Sequence, residues 1–390
     1  MSANPGIEVR PVAGRAQMTK FIKLPFRLHE GTVWVPPLVS ERRRFLDRSK
    51  NPFFAHAEAE YFLAWREGDV VGRITAQIDE RWDQFQGGKD GMFGFFECEN
   101  DPETATELFE AAAGWLRERG RERLLGPMDF STNDECGLLI DGYEIAPLIL
   151  QPWHPPYYAE LVEAQGMTKS MDLLMWWLQL GEQMYREDGF HPMIHEVARK
   201  VTEEHGVTIR DFRKKDLEAE INRFIEVYNV AWEENWGFVP ITEDEVRAHA
   251  ADLKPVFDER WGFIAERDGE VLGAALTLPD INQVLKRMNG SLLPFGWLTF
   301  LRASHSPQGV NTPRAGIDRV RVFALGVKPE HQHLGIAAAF YIRCLARSKE
   351  LNQPQGETGW ILEVNKPMNR AMEGMGGKVI KKYRLYERAL

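Results

Sequence analysis

Residues 325–341 read LGVKPEHQHLGIAAAFY, and the fold follows from this stretch. A β-rich run ends at Val327, a proline-containing turn follows, and a helix then opens on small residues. The first turn of a helix presents N–H groups with no intrahelical partner, together with the positive end of its dipole. Gly335, Ala337 and Ala338 lack bulk that would hold off a phosphate, so the turn is a ready anion site. It is not a dinucleotide fingerprint, because Gly-x-Gly-x-x-Gly is absent, nor a Walker A loop, because no Gly-Lys-Ser/Thr follows.

Working outward, the chain repeats itself. FLAWREGDVVGRIT at 62–75 matches FIAERDGEVLGAAL at 263–276, with Phe62 on Phe263, Ala64 on Ala265, Arg66 on Arg267, Gly68 on Gly269 and Gly72 on Gly273, every pair 201 residues apart. Each stretch is two β-rich runs around a Glu-Gly or Asp-Gly turn, a hairpin signature. IEVRPV (7–12) and VTIRDF (207–212) stand before them as opening strands. Both copies continue with strand, helix, strand: 92–98, 99–120 and 122–127 in the first, then 319–327, 335–351 and 358–364 in the second. This order implies an α/β chain with a mixed sheet and a parallel strand pair around a crossover helix in each copy. The expected organisation is a first domain over 1–180, a linker over 181–205 and a second domain over 206–390.

The spacing Gln332-x-x-Gly335-x-Ala337 after a strand resembles the signature of the GCN5-related N-acetyltransferases, the GNAT superfamily. The resemblance implies two tandem GNAT-like domains, with acyl-CoA bound as co-substrate and no tightly held cofactor. It points to Leu325, Val327, Gln332, His333, Leu334, Gly335, Ile336, Ala337, Ala338 and Asn365 as cofactor contacts. It also implies acyl transfer from the CoA thioester to an amine. The oxyanion donor would be a backbone N–H near 324–327, and the pantetheine arm would enter between splayed strands. The first copy has Glu97-Cys98-Glu99-Asn100-Asp101 at the corresponding loop, whose carboxylates would repel a pyrophosphate. Only the second copy is therefore expected to bind CoA. Cys98 is more simply a buried core thiol than a nucleophile.

For a base to deprotonate the amine, Glu363 at the end of the last parallel strand is the first candidate and Asp318 the second. In the family a tyrosine on the last helix protonates the thiolate. Met372 stands near that position here, so Tyr383 or Tyr386 on the following strand would have to substitute. His331 and His333 flank Gln332 without an evident third ligand, so no metal is expected.

Two stretches bear on the acceptor. YNVAWEENWGFVPIT (228–242) offers Asn229, Trp232, Asn235, Trp236 and Phe238 as pocket walls, or as core. QVLKRMNGSLLPFGWLTFLRAS (283–304) is apolar with basic ends; it lies on a membrane surface, walls a lipid tunnel or docks as an interdomain loop. GPMDFSTNDECGLLIDGYE (126–144), QPWHPPYYAELVEAQG (151–166) and NPFFAHAEAEYFLA (51–64) look similar to a bacterial group of tandem-GNAT proteins that includes the bacterial ceramide synthases. That resemblance implies a long-chain acyl donor and a sphingoid-base acceptor. An acetyl-CoA-dependent acetyltransferase and a non-enzymatic CoA-binding protein remain as alternatives.

Composition narrows the classes further. The 390 residues carry 48 Lys+Arg against 58 Asp+Glu, a net charge of −10 that disfavours nucleic acid as a partner. No apolar run reaches the ~18 residues of a membrane span, and Met1 to Arg10 lack a secretory signal. The three separated cysteines fit a reducing compartment. The expected location is cytoplasmic, with peripheral contact at the inner membrane face through 283–304.

Overall fold

The computed structural model describes residues 6–180, 184, 192–253, 257–291 and 317–390. The chain divides into two units. The first contains β1 (Glu8–Pro11), α1 (Gly14–Leu28), α2 (Val39–Phe45), β2 (Ala57–Arg66), β3 (Asp69–Asp79), α3 (Glu80–Gln86), β4 (Asp90–Cys98), α4 (Pro102–Arg117), β5 (Arg123–Gly126), β6 (Leu138–Asp141) and α5 (Tyr157–Glu163). It also takes the start of β7 (Thr168–Gln179) and the chain's last residues, Lys381–Leu390. The second unit contains the end of β7, then α6 (Pro192–Glu203), β8 (Thr208–Asp211), α7 (Leu217–Ala231), α8 (Glu243–Leu253), β9 (Gly262–Arg267) and β10 (Glu270–Pro279). These are followed by α9 (Asn282–Met288), β11 (Arg319–Val327), α10 (Ile336–Glu350), β12 (Gln355–Leu362), α11 (Lys366–Gly374) and the start of β13 (Lys378–Ala389).

The internal repeat is visible in the backbone. Glu67 and Gly68 have φ of 52° and 91°, and Asp268 and Gly269 have 52° and 84°, so both hairpins close with the same two-residue turn of positive φ. Both also carry a β-bulge at the same step: Ala64↔Gly72 is followed by Trp65↔Val70, and Ala265↔Gly273 by Glu266↔Val271. In each unit the strands run antiparallel until one parallel pair, β4 with β5 and β11 with β12.

Alternation along the strands gives each sheet two apolar faces. In the first unit α4 covers one face with Leu108, Phe109, Ala112 and Leu116, while Phe21 and Ile22 of α1 cover the other. In the second, α10 places Ile336, Ala339 and Phe340 against Phe263, Ala275 and Val320. On the opposite face, Phe224 and Val227 of α7 meet Ile264, Ala274 and Ala324. Each fully buried Leu, Ile, Val or Phe among these contributes ~1.5–3 kcal/mol.

The stretch read from sequence as a linker, 181–205, holds α6. Its Ile194, Val197, Ala198 and Val201 recur at helical spacing and pack into the second unit's core. Most of the apolar insertion, 292–304, lies outside the described residues, and its start forms α9. Among the described residues no helix is long and apolar enough to cross a membrane.

Candidate functional site

The site begins where a strand ladder stops. β11 and β12 pair from Arg319↔Gln355 to Val322↔Thr358, while β11 continues to Val327 and β12 to Leu362. On the α10 side of this opening lies an apolar cleft of about 560 Å³ of empty space, its open mouth included. Its walls are Val320, Val322 and Leu325 of β11, Gly356 and Thr358 of β12, Tyr341, Cys344, Leu345 and Ser348 of α10, Met372 of α11 and Met375, with Leu178, Leu180 and Trp261. The Ser348 hydroxyl donates to the Leu345 carbonyl at 2.9 Å. Burial pushes the Cys344 thiol up to about 12 and raises the Tyr341 hydroxyl, so both stay protonated at neutral pH.

At the head of the same helix, residues Pro329–Leu334 form a tight 3₁₀ turn that delivers Gly335 as the N-cap of α10. Gly335 has φ +78° and no side chain to cap the helix; the Ala338 N–H bonds the Gly335 carbonyl at 2.9 Å, and the N–H groups of Ile336 and Ala337 are left to an external acceptor. A Cβ at Gly335 would lie 2.3 Å from Val197 Cγ1 of α6, which adds a packing reason for glycine. Gln332 and His333 are exposed on the turn, Leu334 and Ile336 are buried, and Ala337 and Ala338 are half-buried. Lys328, just before the turn, pairs with Glu226 at 2.6 Å. His331 lies 3.3 Å from Glu270, and with Glu330 these bring three ligand atoms within 4.8 Å; His333 is not among them.

The remaining predicted residues are dispersed. Glu363 follows the last residue of β12 and is half-buried. Asn365 N-caps α11, its side chain accepting from the Met368 N–H at 3.2 Å, so its visible role is to start that helix. Asp318 is exposed at the opposite end of β11 from the 3₁₀ turn and is held by Gln283 at 2.7 Å. Tyr383 belongs to the first unit, where its hydroxyl donates to the Pro152 carbonyl at 3.0 Å; Tyr386, also there, meets Glu163 at 3.0 Å. Neither tyrosine lines the cleft. Tyr341 does, and sequence reading missed it. The signal was present, because Ala337, Tyr341, Cys344, Leu345 and Ser348 form one helical stripe.

On the α7 face, Trp232 terminates α7 and lays its ring over β11: a Cβ at Gly326 would meet it at 2.5 Å. The Tyr228 ring packs tilted against Trp232, centroids 4.8 Å apart, and Phe238 packs tilted against Tyr228 at 5.9 Å. Asn229 bonds both backbone groups of Ile241, at 3.0 and 3.2 Å, Asn235 sits in the turn after Trp232, and Trp236 is half-buried. Gly326→Ala is expected to cost ~1–3 kcal/mol by forcing the ring aside. In a Trp232→Ala background the closest remaining neighbour is Ala231 Cβ at 3.0 Å, and the cost should fall by at least ~1 kcal/mol. Denaturant midpoints of the four proteins check this, and an equal cost in both backgrounds would exonerate the ring.

The equivalent region of the first unit is closed. β4 and β5 pair only from Asp90↔Arg123 to Met92↔Leu125, and the chain then folds back over β4. Met128 donates its N–H to the Phe93 carbonyl at 2.8 Å, and its own carbonyl is so near that a Cβ at Gly94 would lie 1.8 Å away. The helix N-terminus is occupied too: Asp101 accepts from the Thr104 N–H at 2.9 Å and pairs with Arg66. Where the second unit has Trp232 over Gly326, the first has His29, the C-cap of α1, against Glu97. The His29 Nε2 to Glu97 Oε2 distance is 2.7 Å, with the Tyr158 hydroxyl donating to the same carboxylate at 2.7 Å and Arg73 at 3.4 Å. Cys98 is buried beside this network, and burial raises its thiol, as expected of a core residue.

Two curated proteins match essentially the whole chain. One, named bacterial ceramide synthase, from Caulobacter vibrioides (strain NA1000 / CB15N), is 38% identical over 395 residues, covering 100% of this chain and 99% of that protein. The chain belongs to the bacterial ceramide synthase family. The other, Protein YghO of Escherichia coli (strain K12), is 33% identical over 390 residues, covering 98% and 95%. No family model matches. Among solved structures, a tandem GNAT protein from the clavulanic acid biosynthesis pathway aligns with a TM-score of 0.54 at 13% identity, covering 98% of both chains. A GCN5-related glucosamine N-acetyltransferase region of a fungal β-N-acetylglucosaminidase aligns at 0.55 and 13%, covering 99% of this chain and 38% of that one. The fold is that of two tandem GNAT-like domains, and the chain is an N-acyltransferase that uses acyl-CoA and an amine acceptor.

Proposed function

We propose that this family member moves a long acyl chain from CoA to the amine of a lipid-like acceptor such as a sphingoid base. The observation that carries this is the opening between β11 and β12, which leads into a cleft walled almost wholly by hydrocarbon. An acyl chain gains ~0.8 kcal/mol for each methylene it buries in such surroundings. The 206–390 domain would hold the donor: pyrophosphate on the N–H groups beside Gly335, pantetheine along Leu325 to Val327 and into the opening. Glu363 is the favoured base, and Trp232 with Phe238 would border the amine. The 1–180 domain would carry no donor, since its helix terminus is self-capped and its strand opening is filled by Met128. Residues 283–304 would meet the lipid phase, delivering acceptor from a membrane surface.

The test is a thiol-release assay on the full chain, comparing palmitoyl-CoA with acetyl-CoA, each with and without sphinganine. Amine-dependent release is expected with palmitoyl-CoA and at least ~10-fold less with acetyl-CoA, as two or more lost methylene contacts require. Release with acetyl-CoA alone, or with no dependence on a lipid amine, would overturn the lipid assignment.

A further inference from the structure

We infer that the Tyr341 hydroxyl gives its proton to the sulfur of the departing coenzyme. The inference rests on the cleft being the acyl-CoA site. Transfer to an amine releases a thiolate, and an apolar cleft penalises an anion that finds no partner. The described cleft lining offers four groups with a proton to give: Tyr341, Cys344, Ser348 and Thr358. Ser348 is committed to the Leu345 carbonyl, and the Cys344 thiol is buried beside Thr277 of β10. Thr358 lies in the last paired step of the β11–β12 ladder, before the opening.

Tyr341 differs from these. Its hydroxyl points at the Met368 sulfur, 3.1 Å away, which is a weak acceptor and leaves the O–H available to a stronger one. It stands six residues after Gly335 on the helix that starts at the phosphate turn, ~9 Å along the axis at the α-helical rise. A cofactor anchored at that turn and running into the opening passes this side chain. From α11, opposite, Met368 and Met372 approach, and neither carries a proton to donate. Burial keeps the phenol protonated at neutral pH, the form an acid must have.

The step balances as follows. The amine lone pair attacks the thioester carbonyl carbon. As the tetrahedral intermediate collapses, the C–S bond breaks and its electron pair stays on sulfur, which takes the Tyr341 proton to become the free thiol. The tyrosinate regains a proton from the nitrogen, which sheds one as the amide forms.

Tyr341→Phe in the full chain tests this. With palmitoyl-CoA and sphinganine, kcat should fall ~100-fold or more, while KM for palmitoyl-CoA and the dissociation constant for CoA stay within about twofold. The decisive readout is the leaving group. With the palmitoyl thioester of 4-nitrothiophenol, an acidic thiol that departs without help, the gap between variant and wild type should shrink at least ~10-fold. A kcat within threefold of wild type would overturn the inference, as would an equal loss with both donors or a matching loss of CoA affinity. Wild-type activity separates the two levels of failure: an active wild type with an unaffected variant refutes Tyr341 alone. A wild type that releases no CoA with any amine removes the acyl-CoA cleft and this inference together.

Discussion

Replacing His29 with alanine is expected to destabilise the first unit by roughly 1.5–3 kcal/mol, the cost of removing one hydrogen bond from a buried charge that keeps Tyr158 and Arg73. Burial alone would push the Glu97 carboxyl up, but the His29 ring beside it, then Arg73 and His154, hold it down at about 2. Trp34 and Trp153 close edge-on over His29 at 5.3 and 5.2 Å, so water does not readily replace the lost ring. The same network makes the unit sensitive to acid. Glu97 titrates lower in the folded chain than in the unfolded one. Its contribution, about 3 kcal/mol for a depression from 4.5 to about 2, is present above pH 4.5 and lost as pH falls toward 2. Burial lowers His154 from 6.5 to about 4, and its Nδ1 accepts the Leu139 N–H at 3.1 Å. The unfolded chain therefore binds a proton that the folded one refuses, and stability declines from pH 6.5 to 4. Hydrogen exchange of residues 6–173 from pH 6.5 down to about 2 checks both statements. A loss below ~1 kcal/mol for His29→Ala, or stability that is flat between pH 6.5 and 4, would contradict them.

Gly335→Asp should abolish useful acyl-CoA binding, because it would give the second unit the cap that the first already has. At the start of α4, Asp101 satisfies a first-turn N–H with its own carboxylate. An aspartate at Gly335 would do the same to α10 and repel a pyrophosphate as well. Each charge-assisted hydrogen bond withheld from the phosphate is worth ~1.5–3 kcal/mol, a weakening of roughly 10- to 150-fold. The substitution needs space, since a Cβ there meets Val197 Cγ1 at 2.3 Å, and the φ of +78° is one that aspartate tolerates better than most residues. The comparison is therefore Val197→Ala against Val197→Ala with Gly335→Asp, measured by calorimetric titration with CoA. At least ~100-fold weaker binding in the double variant, with an unchanged thermal transition, is expected. Equal affinity in the two proteins would exclude the α10 terminus as the phosphate site.

What the sequence by itself determined was local or repeated. Two-residue turns such as Glu67-Gly68 and Asp268-Gly269 specify their hairpins through backbone conformation alone, and the 201-residue offset exposes the duplication. The strand, tight turn and helix start over 325–338 were legible because they lie within a dozen or so consecutive residues. The self-capped α4 was legible for the same reason, with Asp101 and Pro102 side by side. Tertiary structure alone decided the rest, through contacts between residues far apart in the chain whose register no short pattern encodes. It put Met128 across Gly94, His29 against Glu97 and Trp232 over Gly326. It took Tyr383 and Tyr386 into the first unit and left Asp318 at the far end of β11. It also assembled the cleft from three strands and two helices and aimed Tyr341 into it. Sequence patterns show which face of an element is buried, but which side chains meet across a fold depends on how strands splay and helices cross, and that geometry exists only once the core has packed.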